Sequence, residues 1–412
     1  MKTSMRREEW VSVGLIIGAV LASLGAVAAQ RRGANAAPMS APVAPAPTSS
    51  AAPTPIAPTP IAPVAPMARP KVDLVFALDT TGSMSGLIEG AKTKIWSIAS
   101  FVARAQPTPD VRVGLVAYRD IGDAYVTRVF DLDADLDRVY RRLLSFRADG
   151  GGDTPEHVAR ALDEAVHKMS WSASGGNAVR LIYLVGDAPP HTDYQDGYDT
   201  ARSARAAAAK GIQIHAIRCG NDPDTATYWR RIASLGHGEF LTIDQDGGMR
   251  EHGTPYDEEL ARLHDKLDDT VVAYGPKGAA TRAALEAAAS APVAVKAARA
   301  GFLSASEGKR GKKDTTDTLS EDLVGGVASG RVDLDKVPAA DLPRALAAMP
   351  ADARRQEVAK AARDRGVILD EIAKVSSERD SYLRKSPAKP TGFDGEVQNT
   401  LKKAGLAAGL SF

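Results

Sequence analysis

The chain has 412 residues with 52 Lys and Arg against 51 Asp and Glu, and its net charge of +1 gives no electrostatic reason to expect nucleic acid as a partner. Its single cysteine, Cys219, excludes an intrachain disulfide and a thiolate metal cluster, and reads as a small buried residue at a strand end. The length allows two domains, but the residues are spread too unevenly for all of it to be globular.

Lys2, Arg6 and Arg7 precede an uncharged apolar run from Val11 to Ala29. A basic start followed by such a run is an export signal. It is just long enough to cross a bilayer, while "AVAAQ" at Ala26 to Gln30 offers a small-x-small cleavage pattern. Residues 1–30 are therefore expected to be a signal peptide or an N-terminal membrane anchor. The rest of the chain is expected in the periplasm or cell envelope, held at the membrane if the segment stays uncleaved. Residues 31–70 are a Pro/Ala-rich linker that includes "APTPIAPTPIAPVAP". Proline at every second or third position favours polyproline II, so this stretch reads as a semi-rigid spacer.

Between residues 71 and 275, short apolar runs alternate with amphipathic segments: "VDLVFALD", "VRVGLVAY", "YVTRVF", "VRLIYLVGD", "IQIHAI" and "EFLTID". After the first run, Leu87, Ala91, Ile95, Ile98 and Val102 recur at helical spacing, and Pro107 and Pro109 close that helix. Nearly continuous apolar strands between helices predict an α/β fold, with a doubly wound, mostly parallel central sheet flanked by helices. Ligands of such sheets bind beyond the carboxyl ends of the strands.

From 276 to 412 no strand pattern returns, and a mainly helical, partly flexible C-terminal region is expected. The basic "GKRGKK" within it reads as a solvated loop. Ile368, Ile372, Val375, Tyr382 and Leu383 lie near heptad spacing, with Arg379 interrupting the seam. The repeat is short, which favours a packed helix over a coiled coil.

Three polar clusters follow apolar runs. In "DTTGS", the oxygens of Asp79, Thr81 and Ser83 alternate at a strand end and can face one hard cation or one phosphate. "ADGGGDTPEHVARAL" carries Asp153 and Thr154 into an expected helix, and "LIYLVGD" ends on Asp187. Helix capping is the structural alternative, since Ser83, Ser85 and Thr154 are all good N-caps. His157 and His191 pair with no serine motif and read as helix-surface or loop residues.

In the order and placing of these loops the chain resembles the von Willebrand factor type A domain, whose metal-ion-dependent adhesion site is written D-x-[S/T]-x-S, then a threonine after a glycine-rich turn, then an aspartate after a later strand. The resemblance spans about residues 71 to 275. It implies Thr81, Ser83 and Thr154 as direct ligands of Mg2+ (or Mn2+), with Asp79 and Asp187 acting mostly through water and Asp153 as the alternative to Thr154. Neutral hydroxyl ligands leave such an ion under-neutralised, with one position for a carboxylate from a protein ligand. The third loop departs from the family in having "GDAPPH", and "HTDYQDGYD" after it would rim the metal face through His191, Asp193, Tyr194, Asp196 and Tyr198. The expected function is metal-dependent protein binding by an exported or tethered protein, without enzymatic activity. Two alternatives stand beside it. "DTTGS" also resembles the phospho-acceptor motif of haloacid-dehalogenase-like phosphohydrolases, which would make Asp79 a nucleophile, and a structural envelope protein would use the fold without metal.

Overall fold

The computed structural model describes residues 69–152, 154–173, 177–249, 253–307, 321–385 and 392–412. The expected signal or anchor, most of the linker, Asp153 and the basic "GKRGKK" lie outside the described residues.

Six strands, β1 (Lys71–Asp79), β2 (Asp110–Tyr118), β3 (Thr127–Asp133), β4 (Ala178–Gly186), β5 (Gln213–Cys219) and β6 (His237–Ile243), form one sheet in the order β3-β2-β1-β4-β5-β6. Each lies on one of the six apolar runs. All neighbours pair in parallel except β2 and β3, which are antiparallel. The connection 119–126 is too short for the crossover that a parallel pair needs, so the chain turns straight back. Cys219 ends β5 and is buried, as expected.

Side chains alternate across the pleat, and this sorts the core into two layers. Leu74, Phe76 and Leu78 of β1 join one layer, with Leu87, Ile95 and Val102 of α1 (Ser85–Ala103) and Val139 of α2 (Leu136–Leu144). Val75 and Ala77 enter the other, against α3 (Val158–His167), α4 (Thr200–Ala209) and α5 (Pro223–Leu235). A buried side chain of this kind stabilises the fold by roughly 1.5–3 kcal/mol.

Several of the helices from residue 257 onward pack into the first layer, and others gather a small core of their own. They are α6 (Asp257–Asp268), α7 (Gly278–Ala289), α8 (Val293–Glu307), α9 (Leu323–Ala328), α10 (Arg344–Ala347), α11 (Ala351–Lys385) and α12 (Gly392–Ala407). Phe302 of α8 packs on Trp96 of α1, with ring centroids 5.7 Å apart. Phe393 of α12 lies 5.9 Å from Phe76 of the central strand, and Tyr183 Oη and Thr400 Oγ1 share a hydrogen bond of 3.0 Å. Gly392 has φ +70°, and a Cβ there would stand 2.2 Å from the Gly247 carbonyl oxygen, so the entry to α12 needs glycine. A smaller cluster of Leu323, Leu334, Leu346 and Val358 gathers around α9 to α11.

In α11, Ile372 is buried and Ile368 and Val375 are partly buried, whereas Tyr382 is exposed. Arg379 breaks the apolar seam because its Nε donates to Asp257 Oδ1 at 2.6 Å, across to α6. Among the described residues, no helix is long and apolar enough to cross a membrane.

Candidate functional site

The loops after β1, before α3 and after β4 converge beyond the carboxyl ends of the parallel strands. They enclose a cavity of about 240 Å³ lined by Thr81, Ser83, Gly151, Thr154, Glu156 and Asp187, among others. Asp79 lies behind this lining, fully buried at the end of β1.

Thr81 fixes the first loop by donating both its backbone N–H (2.9 Å) and its hydroxyl (2.7 Å) to Asp79 Oδ1. Its hydroxyl proton is thereby committed, and Thr81 Oγ1 keeps its lone pairs as an acceptor 3.3 Å from Ser83 Oγ. The glycine-rich loop is laid over this turn. Asp149 N–H donates to the Thr80 carbonyl and Gly82 N–H to the Gly150 carbonyl. Gly150 has φ +80°, a conformation that strains a residue with a side chain, and a Cβ there would sit 2.1 Å from Asp123 Oδ1, so the turn favours glycine. Asp187 is held from the far side, where Gln245 Nε2 donates to its Oδ2 at 2.6 Å.

Several parts of this arrangement depart from the sequence reading. Capping does not explain the polar residues. The residue capping α1 is Met84, with no side-chain hydrogen bond, and α3 is capped by His157, whose Nδ1 accepts from the Arg160 N–H. The expected helix start at Thr154 is displaced to Val158, because Glu156 forms a parallel bridge with Pro190 instead. His157, read as a surface residue, is buried, and its Nε2 lies 2.6 Å from Asp196 Oδ2. The "HTDYQDGYD" loop is tied down as well: the His191 and Tyr194 rings stack at 4.0 Å, and the Tyr194 hydroxyl donates to Asp120 Oδ2 at 2.6 Å.

Three residues of the site were missed in the sequence. Glu156 is buried in the cavity wall with Oε2 accepting no hydrogen bond from the protein. Arg119 Nε donates to the Thr80 carbonyl (3.0 Å) and Nη2 to the Arg147 carbonyl (2.8 Å), so one buried guanidinium braces two of the loops. Gln245 is the third. Proximity of Glu156 to Thr154 in "DTPE" was the one local signal available; Arg119 and Gln245 had none.

The electrostatics of the cavity fit a divalent cation. Burial pushes Asp79 up to about 7, with the Asp187 charge adding to it, against the lowering effect of the two Thr81 hydrogen bonds. Burial followed by the charges of Asp79, Asp120, Asp123 and Asp187 pushes Glu156 up to about 9. Asp79 Oδ2 is also buried without a hydrogen-bond partner. Carboxylates crowded so that they resist ionisation, facing hydroxyl lone pairs, form a donor set that a hard cation satisfies. Among the described residues no group of three or more His, Cys, Asp or Glu could hold a metal. A cation in this cavity would therefore rely on hydroxyl and water ligands as well.

Residues 73–251 match the family model of the von Willebrand factor type A domain. This segment is a von Willebrand factor type A domain. The alpha-protein kinase vwkA of Dictyostelium discoideum is 31% identical over 132 residues, covering 31% of this chain and 20% of that protein. The chain spans about a fifth of the length of the curated relatives it matches. Among solved structures, an aerotolerance-related membrane protein from Bacteroides fragilis is 17% identical, with a TM-score of 0.30, covering 43% of this chain and 94% of that one. Proximal thread matrix protein 1 from the mussel byssus is 14% identical, with a TM-score of 0.34, covering 43% and 42%. The type A domain here thus occupies the sheet and its two helical layers, while α8 and α12, beyond the matched residues, complete one of those layers.

Proposed function

We propose that the type A domain binds a protein ligand through a divalent cation, magnesium or manganese, held at Thr81, Ser83 and Thr154 with Asp79 and Asp187 behind bound water, and that the ligand supplies an Asp or Glu carboxylate. The observation that carries this reading is the convergence of Thr81 Oγ1 and Ser83 Oγ, 3.3 Å apart, on a cavity backed by a buried Asp79 whose Oδ2 has no hydrogen-bond partner. When bound, the cation supplies a positive centre that an incoming carboxylate can ligate. The protein's part is to hold the oxygens on a rigid sheet edge before the ligand arrives.

Binding without catalysis is part of the proposal. A phosphohydrolase using Asp79 would gain from a lysine beside the nucleophile, and none is among the described residues lining the cavity. The kinase activity in the name of the Dictyostelium relative belongs to a protein of which the match covers 20%. Export is also part of it: residues 1–30 would direct the chain to the envelope, and the Pro/Ala-rich spacer would hold the type A domain away from the membrane.

The test is capture of partners from the native envelope by the full chain, in magnesium, in chelator and with Asp79→Ala. Carboxylate-dependent capture in magnesium alone is expected, and the folded variant should behave like the wild type in chelator. Full capture in chelator would overturn the cation reading and leave a type A domain that binds through another surface or serves as a metal-independent envelope component.

A further inference from the structure

The loop after β6, residues 244–249, lies directly on α1 because two glycines give it room. Gly86 and Gly90 are one helical turn apart on the same face of α1. A Cβ on Gly86 would come 3.0 Å from Asp246 Cβ, and one on Gly90 would come 2.0 Å from Met249 Cε and 3.0 Å from Met249 Sδ. From the loop side, a Cβ on Gly247 would meet the same methyl at 2.5 Å and Leu87 Cδ1 at 3.4 Å. The Met249 thioether is thus seated in a notch walled by glycine backbone on two sides, with Leu87 beside it. Glycine inside a helix is less stable than alanine, and the close approach of Met249 is what Gly90 permits here. The loop that Met249 fastens is the one that carries Gln245, whose side chain holds Asp187, and the Gly247 carbonyl accepts from the Phe393 N–H at 2.9 Å.

We propose that Met249 is an oxidation-sensitive pin: its conversion to the sulfoxide by a peroxide lifts the loop from α1, frees Gln245 from Asp187 and weakens cation binding in the cavity. The last of these effects rests on the reading of the cavity as a cation site. In the reaction a lone pair of the thioether sulfur attacks one oxygen of hydrogen peroxide. The S–O bond forms as the O–O bond breaks, and the proton of the transferred oxygen leaves with the departing hydroxide as water. The sulfur is oxidised and the peroxide reduced by the same two electrons. Position selects this methionine. Among the described residues Met84 and Met169 are buried, whereas Met249 and Met349 are partly exposed. Met349 packs in the small cluster around α9 to α11 and does not line the cavity, so it serves as an internal control. The sulfoxide oxygen is a hydrogen-bond acceptor. The notch offers it only an apolar Leu87 and helix N–H groups already paired within α1, so the oxidised side chain is better solvated outside the notch than in it.

The experiment treats the full chain with dilute hydrogen peroxide and locates the sulfoxides by peptide mass spectrometry. Backbone hydrogen exchange in chelator and manganese affinity by calorimetry are measured before treatment, after it, and after repair by methionine sulfoxide reductases. Met249 and Met349 should gain oxygen while Met84 and Met169 do not. The oxidised chain is expected to exchange faster at Phe393 and across residues 244–249, and to recover on repair. Its manganese affinity should fall about three- to tenfold, as for loss of the Gln245 hydrogen bond. Met249→Leu conserves the side-chain volume and should keep exchange and affinity constant through the treatment, whereas Met349→Leu should respond like the wild type. Met249→Gln should reproduce the oxidised state without peroxide. Complete oxidation of Met249 with unchanged exchange overturns the pin, as does an equal response in Met249→Leu or a Met249 that stays reduced while Met349 is oxidised. Faster exchange with full manganese affinity overturns the link from the loop to the cavity. Faster exchange in a chain that binds no manganese even before treatment upholds the pin and overturns the cation reading.

Discussion

Gln245 Nε2 donates to Asp187 Oδ2 at 2.6 Å and reaches the Ser83 carbonyl at 3.4 Å, so a side chain from the loop after β6 ties two of the three cavity loops together. A hydrogen bond to a charged group contributes about 1.5–3 kcal/mol, and less at an exposed residue such as Gln245. Gln245→Ala is therefore expected to weaken manganese binding about three- to tenfold by calorimetry, with the melting temperature in chelator unchanged. An unaltered affinity would mean that Asp187 is positioned by its backbone alone.

Stability in chelator should fall as pH rises. Asp79 and Glu156 keep protons in the folded chain up to about 7 and about 9, against 3.8 and 4.5 as their ordinary values. Groups raised in this way bind more protons folded than unfolded, so their contribution is complete below the ordinary values and is lost as pH climbs through this window. Magnesium, which favours the ionised forms, should flatten the slope, and Glu156→Gln should remove its upper part. Melting curves in chelator that do not depend on pH would contradict the crowding of carboxylates around the cavity.

Thr154 lines the cavity, whereas its neighbour Asp153 lies outside the described residues. Thr154→Ala should lower manganese affinity on the order of 10- to 100-fold, the range for groups that support a metal site, and Asp153→Asn by less. If the aspartate variant loses binding while the threonine variant keeps it, the ligand of the second loop is Asp153.

Arg299 is buried between α2 and α6, donating through Nε and Nη2 to Asp137 (2.7 and 3.1 Å) and through Nη1 to Asp268 (2.8 Å). Arg299→Met leaves two carboxylates without their cation and should destabilise the fold by about 3–5 kcal/mol in urea titrations. Adding Asp137→Leu should recover part of that loss, because the buried charge goes with it. A single variant as stable as the wild type would show that water reaches the pair.

The sequence by itself determined the six strands, the mostly parallel sheet and the three loops at its carboxyl edge. These are written in local terms: apolar runs of strand length, helical spacing between them, and polar clusters where the runs stop. It also carried the distinction between a packed helix and a coiled coil in α11, since Ile372 and its neighbours form too short a stripe for a long seam. Only the tertiary structure decided what completes the cavity and the core. Glu156 looked like a residue in the first turn of a helix until its backbone was claimed by Pro189 and His191. Gln245 meets Asp187 across 58 positions, and Arg299 meets Asp137 across 162. Neither pairing leaves a period or a spacing in the chain. The same holds for α8 and α12, whose Ala- and Gly-rich composition gave no sign that they close the core of the type A domain. Periodicity reports how a segment buries one of its faces, whereas the choice of the partner for that face is made by packing between segments far apart in sequence.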